Sequence, residues 1–528
     1  MHLASSIAAM LLMAPLPQAK LDPDLGVTDT LAAARSARIS NLRYDLAFTI
    51  PARKDAAVAG REVIRFELAS GGEPLVLDYA PDRSGMLLRA ELNGAPVTVR
   101  QVNGHIIIPA DGLRQGENAV SLEFNAGDAP LNRSDDFLYT IFVPARAHLA
   151  FPCFDQPDLK GRWTLALDVP EGWQALGNGA EVERATGAGR TRVRLAATEP
   201  ISTYLFAFAS GKLSVEQAER NGRTFRMFHR ETDAAKVARN RDAIFDLHAA
   251  ALAWLEQYTG IPYPFGKFDF FLVPAFQFGG MEHPGAIFYN ATGLMLDESA
   301  TQDQLIGRAS VIAHETSHMW FGDLVTMRWF SDVWMKEVFA NYMAAKIVNP
   351  AFPSLNHQLR FLVDYYPAAY GVDRTAGTNE IRQPLKNLND AGTLYGAIIY
   401  QKAPIVMRQL ETLAGAAAFQ DGLREYLKTY AFGNAAWPDL IALLDRRTPE
   451  DLAAWSHVWV EERGRPVIRV EASFAGGRLG KLVLRQSDPY PTRGLLWNQQ
   501  IQVAVGTATE VRLVPVHLNA ARVEVPAA

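Results

Sequence analysis

At 528 residues, with 48% hydrophobic and 21% charged side chains, the chain can bury a large core and has the composition of an ordered globular protein. Disorder, collagen and coiled coil are excluded on that ground. The formal net charge of −5 (52 Lys+Arg against 57 Asp+Glu) offers no long-range attraction to polyanions, so neither nucleic acid nor an anionic membrane surface is an expected partner. Cys153 is the only cysteine, which excludes an intrachain disulfide and a cysteine-based metal cluster. Any metal must sit on histidine and carboxylate ligands.

The expected architecture is α+β and multidomain. Residues 1–19 combine a short apolar run with Ala19 before a possible cleavage point, which suits a signal peptide and predicts a periplasmic or secreted protein, with a cytoplasmic one as the alternative. No later run of 18 or more apolar residues provides a membrane span. Residues 20–213 read as an antiparallel β domain: Tyr44–Ile50, Glu62–Leu68 and Ala119–Phe124 alternate with period 2 between Gly, Pro, Asn and Asp breaks. The text turns helical after Lys212, and residues 214–465 form the second unit, with helices expected over Lys236–Tyr258, Ala309–Phe321, Asp332–Val348 and Ala403–Leu413. Residues 466–528 return to β-type alternation in Leu482–Leu484, Ile501–Val505 and Val511–Leu513, a short C-terminal sandwich-like domain.

The chemistry concentrates in His314-Glu315-Thr316-Ser317-His318. Residues four apart share a helix face, so both imidazoles reach one metal ion while Glu315 stands beside them as a base for a metal-activated water. A catalytic zinc site needs a third ligand and an open position. Glu337, 19 residues after His318, lies on a second helix among Trp334, Val338 and Phe339, where a buried carboxylate calls for a partner. Gly322-Asp323 ends the first helix and Ser331 or Asp332 caps the second. Cys153 reads as a small core residue, and Trp320-Phe321 and Trp329-Phe330 as core aromatics.

His-Glu-x-x-His, eighteen residues and then Glu inside Trp334-Met335-Lys336-Glu337-Val338-Phe339-Ala340 resembles the M1 family of zinc aminopeptidases, in the gluzincin group. Phe278-Gly279-Gly280-Met281-Glu282-His283-Pro284 is similar to its exopeptidase motif, Gly-x-Met-Glu-Asn. Phe151-Pro152-Cys153-Phe154-Asp155-Gln156-Pro157 and the paired-tyrosine segment Tyr395–Lys402 follow the same order, and the resemblance spans Tyr44 to Ile468. It implies a thermolysin-like, mainly helical catalytic domain and a metallo-aminopeptidase acting on peptides with a free amino terminus. One Zn²⁺ per chain would be held by His314, His318 and Glu337. Glu315 would be the general base and Tyr400 the oxyanion donor. Glu282 would receive the α-ammonium, with Gly279, Gly280, Met281, Phe278 and Tyr395 lining the substrate site.

Three features depart from that pattern. His283 replaces the usual Asn and Pro284 follows, so the backbone after Glu282 is expected to turn differently. The stretch Tyr139–Pro144 carries no amide or acid where the family supplies a second amine ligand, which leaves the amine to Glu282. The family's large helical cover has no counterpart, leaving an open site, a site covered by another subunit, or a truncated chain. A zinc endopeptidase or epoxide hydrolase on the same scaffold, and a catalytically dead binding module, are the competing readings; the oligomeric state is left open.

Overall fold

The structure is a computed structural model and describes residues 22–525. The expected signal peptide lies outside them. Helix α1 (Asp29–Arg38), capped by the Thr28 hydroxyl, leads into an eight-stranded sheet. Its order is Glu181–Gly187, Arg190–Leu195, Arg162–Pro170, Ile39–Thr49, Ala59–Leu68, Gly116–Asn125, Met86–Leu92 and Ala95–Pro96. Period-2 alternation decides which face is buried: in Ala59–Leu68, Gly60, Ile64, Phe66 and Leu68 point inward while Arg61 and Glu67 point out. The pairing is antiparallel except between Ile39–Thr49 and Arg162–Pro170, where Tyr44 faces Trp163 in register and their rings stack at 3.8 Å. Alternation carries no strand order, so this parallel neighbour was invisible in the text. A four-stranded sheet closes the same core, with Phe48 stacked on Phe208 at 5.1 Å.

Glu62 breaks the inward pattern. Its carboxylate is buried in this core, neither oxygen has a hydrogen-bond partner among the described residues, and burial pushes its pKa well above the usual range. Cys153 is also fully buried.

The text after Lys212 does not turn helical at once. Ser214–Arg220 and Arg223–His229 form a hairpin that starts a five-stranded sheet continuing through Phe268–Val273, Ile287–Asn290 and Gly280–Met281. Phe268–Val273 is buried along its whole length, so it lacks the alternation that marks a half-exposed strand. Helix α2 (Ala234–Thr259) is capped by the Asp233 carboxylate and ends at Gly260, φ +69°. After the single turn α3 (Ala291–Leu294) comes α4 (Gln302–His318), opened by a capping box between Thr301 and Gln304. Then follow α5 (Val333–Val348), α6 (His357–Asp373) and α7 (Ala403–Ala414), the last preceded by a π-helical turn over Ile398–Lys402.

Asp332 does precede α5, but its side chain does not cap it. The carboxylate is taken by Arg382, at 2.6 and 3.2 Å, a partner fifty residues away in sequence. Strands from Val467 onward form two small sheets with their own core of Leu484, Val514, Val516, Leu518 and Val525. Among the described residues, no helix is long and apolar enough to cross a membrane.

Candidate metal centre and cleft

α4 and α5 pack against each other, and the link between them turns at Gly322 with φ +136°. A side chain there would meet the Lys336 Cβ at 3.2 Å and His318 Nδ1 at 3.3 Å. This tight return carries Glu337 to the two histidines. His314 Nε2 and His318 Nε2 stand 3.0 Å apart, and Glu337 Oε2 lies 3.6 and 4.0 Å from them. The other ring nitrogens are engaged: His314 Nδ1 with Asn341 Oδ1 at 3.1 Å, His318 Nδ1 with the Phe321 carbonyl at 3.1 Å. Both acceptors require Nδ1–H, which assigns the tautomers and leaves two Nε2 lone pairs facing each other. Two lone pairs at that separation repel unless a cation lies between them, and imidazole nitrogens with one carboxylate are a zinc donor set. The residues present fit a zinc ion.

The electrostatics follow from burial and proximity. Burial pushes Glu315 up to about 8 against the opposing pull of His314, and its Oε2 has no partner among the described residues. Burial also lowers His318 to about 4, which favours the neutral, ligating form. Burial works to lower His314 too, but the carboxylates of Glu337 and Glu315 beside it leave it raised.

Glu315 is also held by a close backbone. A Cβ on Gly280 would lie 2.3 Å from Glu315 Oε1, so only glycine lets the edge strand Gly280–Met281 run beside that carboxylate. Glu282, two residues further on, is buried; its carboxylate, Glu315 and His318 place ligand atoms within 4.8 Å of one another. After it the chain turns through His283–Ala286, closed by the Ala286 N–H on the His283 carbonyl at 3.0 Å and passing through Gly285 at φ +71°. The His283 ring is fully buried edge-on to Phe288 at 4.8 Å.

These groups open onto a cleft of about 830 Å³. Phe278 (41% exposed), Gly279, Gly280, Met281, Glu282, Tyr395 and Tyr400 all line it, as do His314, Glu315, His318 and Glu337. Phe278 packs edge-on to Phe276 at 5.7 Å. Tyr400 sits in the π-helical turn, its ring 6.3 Å from that of Tyr395. The candidate metal ligands, catalytic residues and substrate-binding residues named from the sequence therefore line one cleft. The N-terminal β region contributes Val143 and Pro144, both apolar, to the cleft wall.

Lys336 was missed. Its ammonium is buried and bonds Glu282 Oε1 at 2.6 Å and Glu337 Oε1 at 2.7 Å, tying the anchor candidate to the third ligand candidate. Burial disfavours its charge, yet the two carboxylates hold its pKa well above the usual range. With Oε1 on Lys336, Glu337 presents Oε2 to the imidazoles. The available signal was a lysine in an otherwise apolar helix, directly before Glu337. Asn341, one helical turn beyond Glu337, and the α6 wall of His357, Arg360, Phe361, Asp364 and Tyr365 were also unmarked.

A β region followed by a two-helix His-Glu-x-x-His…Glu centre defines the gluzincin class. The Peptidase family M1 domain matches residues 244–459 and the Peptidase M1 N-terminal domain residues 129–205. Similar proteins include aminopeptidase N of Streptomyces lividans, 30% identical over 81% of this chain and 50% of that protein. Others are the puromycin-sensitive aminopeptidase of Caenorhabditis elegans (32%, over 71% of this chain and 40% of that one) and aminopeptidase M1-A of Oryza sativa subsp. japonica (32%, over 66% and 39%). The chain belongs to the M1 peptidase family. It spans about half or less of the length of these relatives.

Proposed function

We propose that the chain is a zinc-dependent aminopeptidase that removes the first residue from peptides with a free amino terminus. The observation that carries this reading is the pair of facing Nε2 atoms, 3.0 Å apart, in the same cleft as the buried Glu282 carboxylate. His314, His318 and Glu337 would hold the zinc, which when bound polarises a carbonyl and acidifies water. Glu315 takes the proton of the attacking water and passes it to the leaving amine. Its position beside the ligand histidines, with Oε2 unpartnered among the described residues, suits it to both transfers. Tyr400 donates its hydroxyl hydrogen to the developing oxyanion, a contribution of about 10²–10³ in rate for one such donor. The glycine pair at 279–280 lets substrate lie along the strand edge, and Glu282 receives its α-ammonium, sharing the carboxylate with Lys336. Tyr395 and Phe278 shape the pocket for the first side chain.

The test compares aminoacyl fluorogenic substrates with their N-acetylated counterparts, in the parent and in Glu282→Ala. The parent should cleave only the free-amine set, and the variant should lose most of that preference. Equal cleavage of both sets by the parent would instead mark an endopeptidase.

A further inference from the structure

Next to the main cleft lies a second basin of about 280 Å³, whose walls share Asn341, Ala345, Asn349, His357, Phe361 and Tyr365 with it. Two cations line it, and they differ in kind. Lys346 is neutralised by Glu411, at 2.8 Å, whose other oxygen accepts from Tyr342. Arg408 on α7 has no carboxylate within ion-pair distance among the described residues, yet it is held in place. Its Nη2 donates to Gln358 Oε1 at 2.8 Å, and its guanidinium lies over the Phe361 ring at 4.1 Å. A guanidinium pinned by a neutral amide and an aromatic face, with no anion of its own and facing a cavity, is built to receive a carboxylate.

Glu282 lines the main cleft with the metal-ligand candidates, and Arg408 lines the neighbouring basin. Helix α5 measures the distance. From Glu337 to Asn341 and Asn349, both lining the basin, is about 6–18 Å at 1.5 Å per residue. An extended peptide covers that span with roughly two to five residues at about 3.3 Å each.

We propose that Arg408 binds the terminal carboxylate of the leaving portion of the substrate, making the enzyme selective for short peptides of about three to six residues with both termini free. The inference rests on the aminopeptidase reading for the direction in which substrate lies. A carboxylate from an internal Asp or Glu offers the same chemistry, and the test separates the two sources.

The test measures kcat/KM of the zinc-loaded full chain on Leu-(Ala)n peptides of three to eight residues, as free acids and as C-terminal amides. A third set carries one internal Glu and an amidated terminus. The expected acid-over-amide ratio is about tenfold or more at its best length within about three to six residues, from one charge-assisted contact. It should fall toward one in Arg408→Gln and recover in part in Arg408→Lys. A ratio unchanged in Arg408→Gln overturns the proposal, as does an internal Glu that restores the amides fully, since the terminus would then not be what is read. Calorimetric binding of Leu-(Ala)4 acid and amide to Glu315→Gln, with and without Arg408→Gln, gives the same ratio without turnover. Loss of peptidase activity in the parent with this binding ratio intact would sink the activity and leave the carboxylate site standing.

Discussion

Lys336 is the side chain whose removal should be felt most. In Lys336→Met the volume is nearly conserved, but two buried carboxylates lose their shared cation. At 2.6 and 2.7 Å and an effective dielectric of about 20, each contact is worth roughly 6 kcal/mol of gross attraction. Desolvation of the three groups offsets most of this, and breaking a buried pair from one side leaves a net loss of about 3–5 kcal/mol. For a cooperative unit of 150–250 residues, at roughly 2–4 °C per kcal/mol, the metal-free variant should melt about 6–20 °C below the parent. Zinc binding should narrow that gap, because the metal neutralises Glu337 and leaves only Glu282 unpaired. Calorimetric melting of both proteins, chelated and zinc-loaded, measures the two differences. A chelated variant melting within about 2 °C of the parent would refute the role given to this ammonium.

Three further outcomes follow from the same geometry. Glu315→Gln should keep its zinc and lose about 10²–10⁴ in kcat, checked by metal analysis beside turnover; substantial residual turnover removes Glu315 as the base. Gly280→Ala places a methyl carbon on the Glu315 carboxylate and should cut kcat/KM about 10²-fold with an unchanged circular dichroism spectrum. Burial raises the Glu62 pKa in the fold well above its unfolded value of about 4.3, so the group costs stability increasingly as pH rises through that value. Glu62→Met should therefore stabilise by about 1–3 kcal/mol at pH 8 and by less at pH 5, seen as melting temperatures at the two pH values; an equal gain at both would exclude the ionisation.

The legible and illegible parts of the molecule divide along sequence separation. His314, Glu315 and His318 were readable because one helix turn carries all three, and Glu337 because its apolar neighbours made an unpartnered carboxylate implausible. The motif from Gly279 to Glu282 was readable as a pattern, though only the structure shows Gly280 making room for Glu315. Lys336 was not, because its meaning lies in Glu282, 54 residues earlier, and a lysine on a helix ordinarily reads as solvated. Asp332 fits a cap by position, yet Arg382 takes its carboxylate. Arg408 belongs to the same kind: nothing around it in sequence announces Gln358 or Phe361. Strand order and the buried strand Phe268–Val273 stayed hidden because period-2 alternation marks half-exposed strands and carries no pairing information.

The central claim is that His314, His318 and Glu337 together hold the metal on which hydrolysis depends. Its most direct test is to strip the protein with a chelator and titrate zinc back while following both bound metal and cleavage of an aminoacyl fluorogenic substrate. Activity should return in step with the first equivalent of zinc per chain. It should not return in His318→Ala, which loses one of the two facing nitrogens. Full hydrolysis by the stripped protein, or by zinc-treated His318→Ala, would contradict the account.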